Sequence, residues 1–324
     1  MTGIVIRVRI VVAGGTGFIG RALTHALLAR GDRVEVLTRG PGGLLNHACR
    51  ECGAGGRLDF VNWTPDRPGP WMDRIDGADA VVTLAGSRGD DRLTEERKES
   101  LMASRSRSTK LLAEAIDRAQ AKPKVFVSAS AVGVYGSQTG AAEISEDAVP
   151  GCDFLAKLAV EWEDATKGAN VRTCHARLGM VLGRGGGLFA GMAPFFKAYL
   201  GGPVGNGDQF VSWVHLRDVV RAVEAMIDRP DLHGAFNVVA PEPVSMNELA
   251  AAFGEALQRP AYFRVPAFAV KLAMGAEAAQ AAQGNPRALP TRLTDAGFAF
   301  VFPDVRSALV DLATSPRNRP LAAS

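Results

Sequence analysis

Cysteine is scarce in this chain and tyrosine scarcer still: four of the first and three of the second in 324 residues. Four cysteines cannot staple a chain of this length, so a disulfide scaffold is excluded and a reducing, cytoplasmic setting is expected. An excess of one charge is also missing. Lys and Arg total 37 against 34 Asp and Glu, a net +3, and the arginines are scattered, so no basic stripe for nucleic acid stands out. No run reaches the roughly 18 uncharged apolar residues of a membrane helix. The most apolar stretch, 268–282, is interrupted by Lys271 and Glu277. The apolar N-terminus is broken by Arg7 and Arg9 with no small-residue cleavage site behind it, and it reads as a strand rather than a signal peptide. There is no internal repeat.

What is present is an ordinary globular composition, 47% hydrophobic and 22% charged, long enough for two structural units. Val8 to Val12 is a β-branched run, followed by AGGTGFIG and a helical segment ending at Gly31. Further strands are expected at 34–37, 80–84, 125–127, 172–178, 210–215 and 236–239, with helices over 94–120, 157–163 and 218–228 between them. Helices are also expected after Ser245 and near 307–313. Apolar strands alternating with helices imply parallel crossovers, hence an α/β fold with a doubly wound parallel Rossmann sheet and a smaller C-terminal substrate lobe. The expected division is 1–183, with contributions from 210–240, for the cofactor domain, 184–209 and 241–313 for the lobe, and 314–324 as a frayed tail.

Gly14, Gly17 and Gly20 form G-x-x-G-x-x-G between the first strand and the first helix. The first glycine permits the turn, the second lets a pyrophosphate approach the backbone, and the third lets helix and sheet pack closely, with the phosphates at the helix N-terminus. Thr16, Phe18 and Ile19 belong to the same loop. NAD sites usually carry an acidic residue at the tip of the second strand for the ribose 2′-hydroxyl. Here Glu35 lies inside the strand and the tip is Thr38-Arg39, a hydroxyl and a guanidinium suited to a 2′-phosphate, so NADP is expected.

With GGTGFIG (14–20), VVTLAG (81–86), FVSASAVGVYG (126–136), FVSWVHLRDVVRAV (210–223) and FNVVAPEPVSMNEL (236–249) in this order, the chain resembles the extended short-chain dehydrogenase/reductase superfamily. Within it, SRSRSTKLLAEAI (104–116), DFLAKLAVEWE (153–163), RLGMVLGRGGGLF (177–189), PFFKAYLGGPVGNGDQFVSWVH (194–215) and LTDAGFAFVFP (293–303) resemble the atypical NAD-dependent epimerase/dehydratase-like branch of the 39U type. The resemblance implies an NADP surface. Thr38 and Arg39 would sit at the adenosine phosphate, and the strand end Leu84, Ala85 and Gly86 along the cofactor. Glu99 and Arg105 would face the adenine and ribose side, and Val181 the nicotinamide end. A homodimer through paired helices is common in the superfamily; the residues themselves leave it open.

Ordinary members use a Tyr-x-x-x-Lys pair with a Ser or Thr, the tyrosine serving as acid or base. Four residues after Tyr135, Tyr199 and Tyr262 stand Thr139, Pro203 and Pro266, so the pair is absent; where it is expected the chain reads Asp153-Phe-Leu-Ala-Lys157. Lys157 is the candidate at the nicotinamide ribose. Asp153 is either a helix N-cap or, if buried, a proton carrier, and the N-cap is favoured. An alignment on Tyr135-Gly136 places Ala131 in the Ser/Thr position, and a shift of one residue places Ser130 there, so Ser130 is a candidate that could equally serve a turn. Tyr135 reads as a pocket wall and His215 as a packed histidine with one hydrogen bond.

The glycine-rich stretch 183–209, beside Phe189, Phe195, Phe196 and Trp213, would suit a substrate lid or pocket floor, or an irregular crossover. Cys49 and Cys52 form a CxxC near His47 without a second ligand pair, and read as free thiols in a loop rather than a metal site. The chain is thus expected to be an NADP(H)-binding oxidoreductase or epimerase-like enzyme on a small carbonyl or sugar-nucleotide substrate, without nucleic-acid or membrane partners. The alternative is a non-catalytic NADP(H)-responsive sensor.

Overall fold

The structure is a computed structural model that describes residues 8–40, 56–86, 94–137, 142–266 and 286–314. The Cys49/Cys52 pair with His47, the stretch 268–282 and the tail beyond Thr314 lie outside the described residues.

Strand and helix alternate from the start: β1 (Arg9–Ala13), α1 (Phe18–Ala29), β2 (Arg33–Thr38), β3 (Arg57–Asn62), β4 (Ala80–Thr83), α2 (Glu95–Arg118) and β5 (Val125–Ala131). Then come β6 (Glu143–Ile144), α3 (Phe154–Asp164), β7 (Arg172–Leu178), β8 (Met180–Gly183), α4 (Gly187–Lys197), β9 (Phe210–Val211), β10 (Trp213–His215), α5 (Leu216–Asp228) and β11 (Gly234–Val238). The chain continues with β12 (Val244–Ser245), α6 (Met246–Leu257), β13 (Arg287–Ala288), α7 (Thr291–Asp295) and α8 (Val305–Thr314).

Seven strands form one sheet in the order β11-β7-β5-β4-β1-β2-β3, and every pairing in it is parallel. On one face Ile10, Val12, Val34, Val36, Val125 and Val127 pack with Leu23 and Leu27 of α1 and Val219 and Val223 of α5. On the other, Val11, Val81 and Phe126 pack with Leu112 and Ile116 of α2 and with Trp71. Both faces are covered, which is why these strands are continuous apolar runs. Strand order reverses at β1, which pairs with β2 on one side and β4 on the other. At such a switch point the strand ends splay apart and leave a crevice for a ligand.

The edge strand β3 was not among the expected elements. It is only half-buried, and Arg57 and Asp59 interrupt Leu58 and Phe60, so its alternating signal is weak. The single strand expected over 210–215 is two strands. They part at buried Ser212, whose hydroxyl donates to Pro286 O at 2.6 Å and accepts from Ala288 N at 2.9 Å, and β9 then pairs with β12 while β10 pairs with β8.

The second lobe has its own core, in which Phe189 and Phe196 of α4 stack on Phe253 of α6 and pack near Leu309 of α8. One part of the expected division needs correction. Leu293 of α7, with Phe298 and Phe300, packs into the core of the large sheet, so 291–300 belongs structurally to the cofactor domain although it falls within 241–313.

His215 lies where the lobes meet. Its Nδ1 accepts from Arg217 N at 3.1 Å as the N-cap of α5, and its ring packs 4.0 Å from Phe302. Nε2 lies 3.5 Å from Asp311 Oδ2, a long polar contact that becomes an ion pair only when the ring is protonated. Burial pushes the imidazole from the usual 6.5 down to about 4, helped by Arg217 and only partly opposed by Asp311. The folded protein therefore keeps His215 neutral while the unfolded chain takes up a proton below 6.5. Its contribution is complete above that pH and disappears as pH falls toward 4, a loss of about 3 kcal/mol. In His215→Asn, which preserves a capping oxygen, the fall in stability between pH 7 and pH 4 measured by urea unfolding should be smaller than in the parent by about that amount.

Candidate cofactor and active site

Gly14 adopts φ +83°, and a Cβ there would lie 2.7 Å from the carbonyl carbon of Leu84. The turn is thereby pressed onto the end of β4, where Leu84 N donates to Ala13 O at 2.8 Å. At Gly20 a Cβ would run into the carbonyl oxygen of Gly14, so α1 can start this close to the turn only with glycine. Gly17 differs: it is exposed, as is Thr16, and its nearest contact for an added Cβ is Gly14 O at 3.2 Å. It is also the N-cap of α1, with no side chain capping the helix. First-turn N–H groups left in this way form an anion site.

Ile19 is half-buried against the sheet core, and Phe18 reaches the second lobe. Its ring lies against Gly183, Gly186 and Gly187; a Cβ at Gly183 or Gly186 would come within 2.6 or 2.7 Å of it. The glycines at the start of the 183–209 stretch thus serve close packing on Phe18. Val181 is buried in β8 beside this contact, opposite Val214 of β10.

At the tip of β2, Thr38 Oγ1 donates to Gly40 O at 3.1 Å and Arg39 projects into a cleft of about 510 Å³. Glu35 is fully buried and held by Arg9 Nε at 2.9 Å, Arg74 Nε at 2.8 Å and Arg33 at 3.0 Å. Burial favours its neutral form, but the hydrogen bonds from Arg9 and Arg74 win and hold the carboxyl below its usual value. Committed there, Glu35 is unavailable to a ribose. At the end of β4, the guanidinium of Arg105 lies beside Gly86 and 5.2 Å from the Trp162 ring. Burial lowers its pKa and nearby Arg97 lowers it further.

Three expectations change. Glu99 does not share the face of Arg105: it lines a groove of about 770 Å³ between α2 and α3, with Met102, Ser106, Glu161 and Asp164, which adjoins the Arg39 cleft through Asp66, Ala103 and Arg107. The helical period separates positions 99 and 105 by two-thirds of a turn. Ser130 does not open toward a substrate, because its buried hydroxyl donates to Glu163 Oε1 at 2.6 Å. On β5 side chains alternate, so Ser130 shares the face of Ser128 and Phe126, and Ala131 takes the other. Lys157 is exposed, and its ammonium makes no hydrogen bond or ion pair with the described residues. It lies four and seven residues before Glu161 and Asp164, on the same stripe of α3 as those two groove-lining carboxylates. Ser130 is thus turned to Glu163 while Lys157 is exposed.

The polar centre here is structural and was missed from the sequence. Arg177 reaches Glu163 through Nε and Nη2 at 2.8 and 2.9 Å, and its Nη1 donates to Tyr135 Oη at 3.0 Å and to Glu146 O at 3.1 Å. Tyr135 Oη in turn donates to Asn237 Oδ1 at 2.7 Å. Tyr135 is thus a buried link rather than a pocket wall, and burial raises its pKa against the pull of Arg177. Asp153 is an N-cap, accepting from Ala156 N at 2.9 Å and Ser137 N at 2.7 Å. Cys174 is buried, its thiol pushed up to about 11 by burial, so it stays protonated at neutral pH. Among the described residues no group of three or more His, Cys, Asp or Glu side chains could hold a metal, and no helix is long and apolar enough to cross a membrane.

Residues 10–239 match the model of the NAD dependent epimerase/dehydratase family. The chain belongs to that family. Residues 265–312 also match a domain of unknown function, DUF1731. This family member is 36% identical over 310 residues to the chloroplastic SDR39U1 homolog of Arabidopsis thaliana, covering 92% of this chain and 84% of that protein. The crystal structure of human epimerase family protein SDR39U1 (isoform 2) with NADPH superposes with TM-score 0.81 at 34% identity, covering 94% of this chain and 99% of that one. The chain is therefore an extended short-chain dehydrogenase/reductase of the 39U type. MoeE5 in complex with UDP-glucuronic acid and NAD, TM-score 0.74 at 21% identity over 94% of this chain and 97% of that one, shares the fold.

Proposed function

We propose that this family member is an NADP(H)-dependent oxidoreductase or epimerase-like enzyme acting on a small carbonyl or sugar-nucleotide substrate. The cofactor is NADP(H), in agreement with the NADPH held by the human relative. One observation carries the reading: an uncapped α1 N-terminus over the open face of Gly17 is combined with a guanidinium, not a carboxylate, at the tip of β2. These residues fit the group. First-turn amides of α1 would hold the pyrophosphate, Gly14 and Gly20 keep the backbone close, Arg39 takes the 2′-phosphate, and the 84–86 backbone flanks the ribose. When bound, the nicotinamide supplies or accepts hydride. With Ser130 and Tyr135 bonded into the interior and no Tyr-x-x-x-Lys in the chain, a non-tyrosine group or water gives the proton when the substrate is reduced and takes it when the substrate is oxidised.

Arg39→Ala should weaken NADPH binding about 10- to 100-fold and leave NADH binding unchanged, as expected for loss of one charge-assisted contact. Fluorescence titration measures both; parent binding of NADH as tight as NADPH, unmoved by the substitution, would remove the NADP reading. Activity is tested by deuteride transfer from labelled NADPD to a panel of carbonyls and nucleotide sugars. The sequestration of Ser130 by Glu163 favours a second reading, an NADP(H)-responsive binding protein. Tight NADPH binding with no label transfer across the panel would select it.

A further inference from the structure

The cleft beside Arg39 runs between the ends of β2 and β3 and the side of α2. From α2 it is lined by Ser100, Ala103, Ser104 and Arg107, spaced i, i+3, i+4, i+7 and so on one helical stripe. Three small residues leave room for a flat ring, and the fourth presents a second guanidinium to the space that Arg39 enters. Neither guanidinium forms a hydrogen bond or ion pair with the described residues, and the cleft holds one carboxylate, Asp66, although Arg107 also borders the adjoining groove of Glu99, Glu161 and Asp164. Trp63 lines the β3 side with Asn62, Thr64 and Pro65: it is 5% exposed, and its indole N–H has no acceptor among the described residues. A pocket with two unengaged guanidiniums, a surplus of positive charge and an orphaned buried donor lacks an anionic, acceptor-rich group.

We propose that Arg107 is the second half of a two-arginine clamp on the adenosine 2′-phosphate, and so a residue that sets the preference for NADP over NAD. This rests on the NADP reading above and assigns it a residue that the strand-tip argument does not reach. Arg39 meets the phosphate from the strand tip and Arg107 from the helix. Guanidinium groups suit the task because each presents paired donors to phosphate oxygens. Arg107 acts in binding and takes no part in hydride or proton transfer.

The test uses 2′,5′-ADP and 5′-AMP, which differ at the 2′-phosphate and need no turnover. Isothermal titration of the full chain should show tighter binding of 2′,5′-ADP. Arg107→Gln should weaken 2′,5′-ADP about tenfold while leaving 5′-AMP within about twofold. Arg107→Lys, which retains the charge without the fork, should fall between, and Arg39→Gln/Arg107→Gln should remove the preference. Unfolding curves matching the parent's establish that each variant is folded. If Arg107→Gln leaves both affinities unchanged, or lowers both equally, the clamp is wrong while the NADP reading stands. If the parent itself binds the two ligands equally, the NADP reading falls and takes the clamp with it.

Discussion

Arg177→Met is expected to lose about 3–5 kcal/mol of stability, the range for removing one partner of a buried ion pair. The loss has three parts: Glu163 keeps a buried charge with Ser130 as its remaining side-chain donor, Tyr135 Oη loses a donor, and Glu146 O loses its contact. The double variant Glu163→Met/Arg177→Met should unfold closer to the parent than the single one, because no unpaired charge remains inside. Urea unfolding of the two variants measures this. A single-variant loss under about 1 kcal/mol would mean that the network does not hold β5, α3 and β7 together. The pH dependence has a definite sign. Burial raises the pKa of Glu163, but the bonds from Arg177 and Ser130 prevail and hold it below the usual 4.5. Its stabilisation is present above 4.5 and lost as pH falls through the lower folded value.

Gly20→Ala should damage both folding and binding. The added methyl meets only backbone, the carbonyl of Gly14 and the Cα of Gly15, so it cannot be relieved by rotating a side chain. Overpacking of this kind costs about 1–3 kcal/mol, and the α1 amides that would receive the pyrophosphate move with it. NADPH affinity is expected to drop at least about 100-fold, some 3 kcal/mol. Gly17→Ala separates the two effects. Its backbone, φ −75°, suits alanine, so stability should stay near the parent's while the methyl intrudes on the phosphate and binding falls. Normal NADPH titration of Gly20→Ala would show that the turn is not the phosphate site.

The glycine turn, the parallel sheet and the strand-tip arginine were legible because each is a local pattern: glycine spacing, apolar strands alternating with helices, and a missing carboxylate. The catalytic candidates were less so. Ser130 and Ala131 differ by one position, and on a strand that decides which face a side chain takes; spacing to Tyr135 alone left both open. Glu99 fails for a related reason, since a short motif match records neighbours in sequence while the helix distributes them around its axis. The Glu163–Arg177–Tyr135–Asn237 chain joins residues up to 102 positions apart, and no local signal reports such a meeting. Arg177 did stand out as a charge within an apolar strand pattern, RTCHARL, which needs a partner when buried.

The seat of Phe18 bears on which parts of this chain tolerate redesign. A glycine-rich segment ordinarily invites insertions, tags and loop grafts, being taken for slack. Here Gly183 and Gly186 are glycines because an aromatic ring from the phosphate turn occupies the room their side chains would need. The segment is a socket whose plug sits in the other half of the molecule. Exchanging the C-terminal half for that of a relative with another substrate should therefore succeed only when socket and plug travel together.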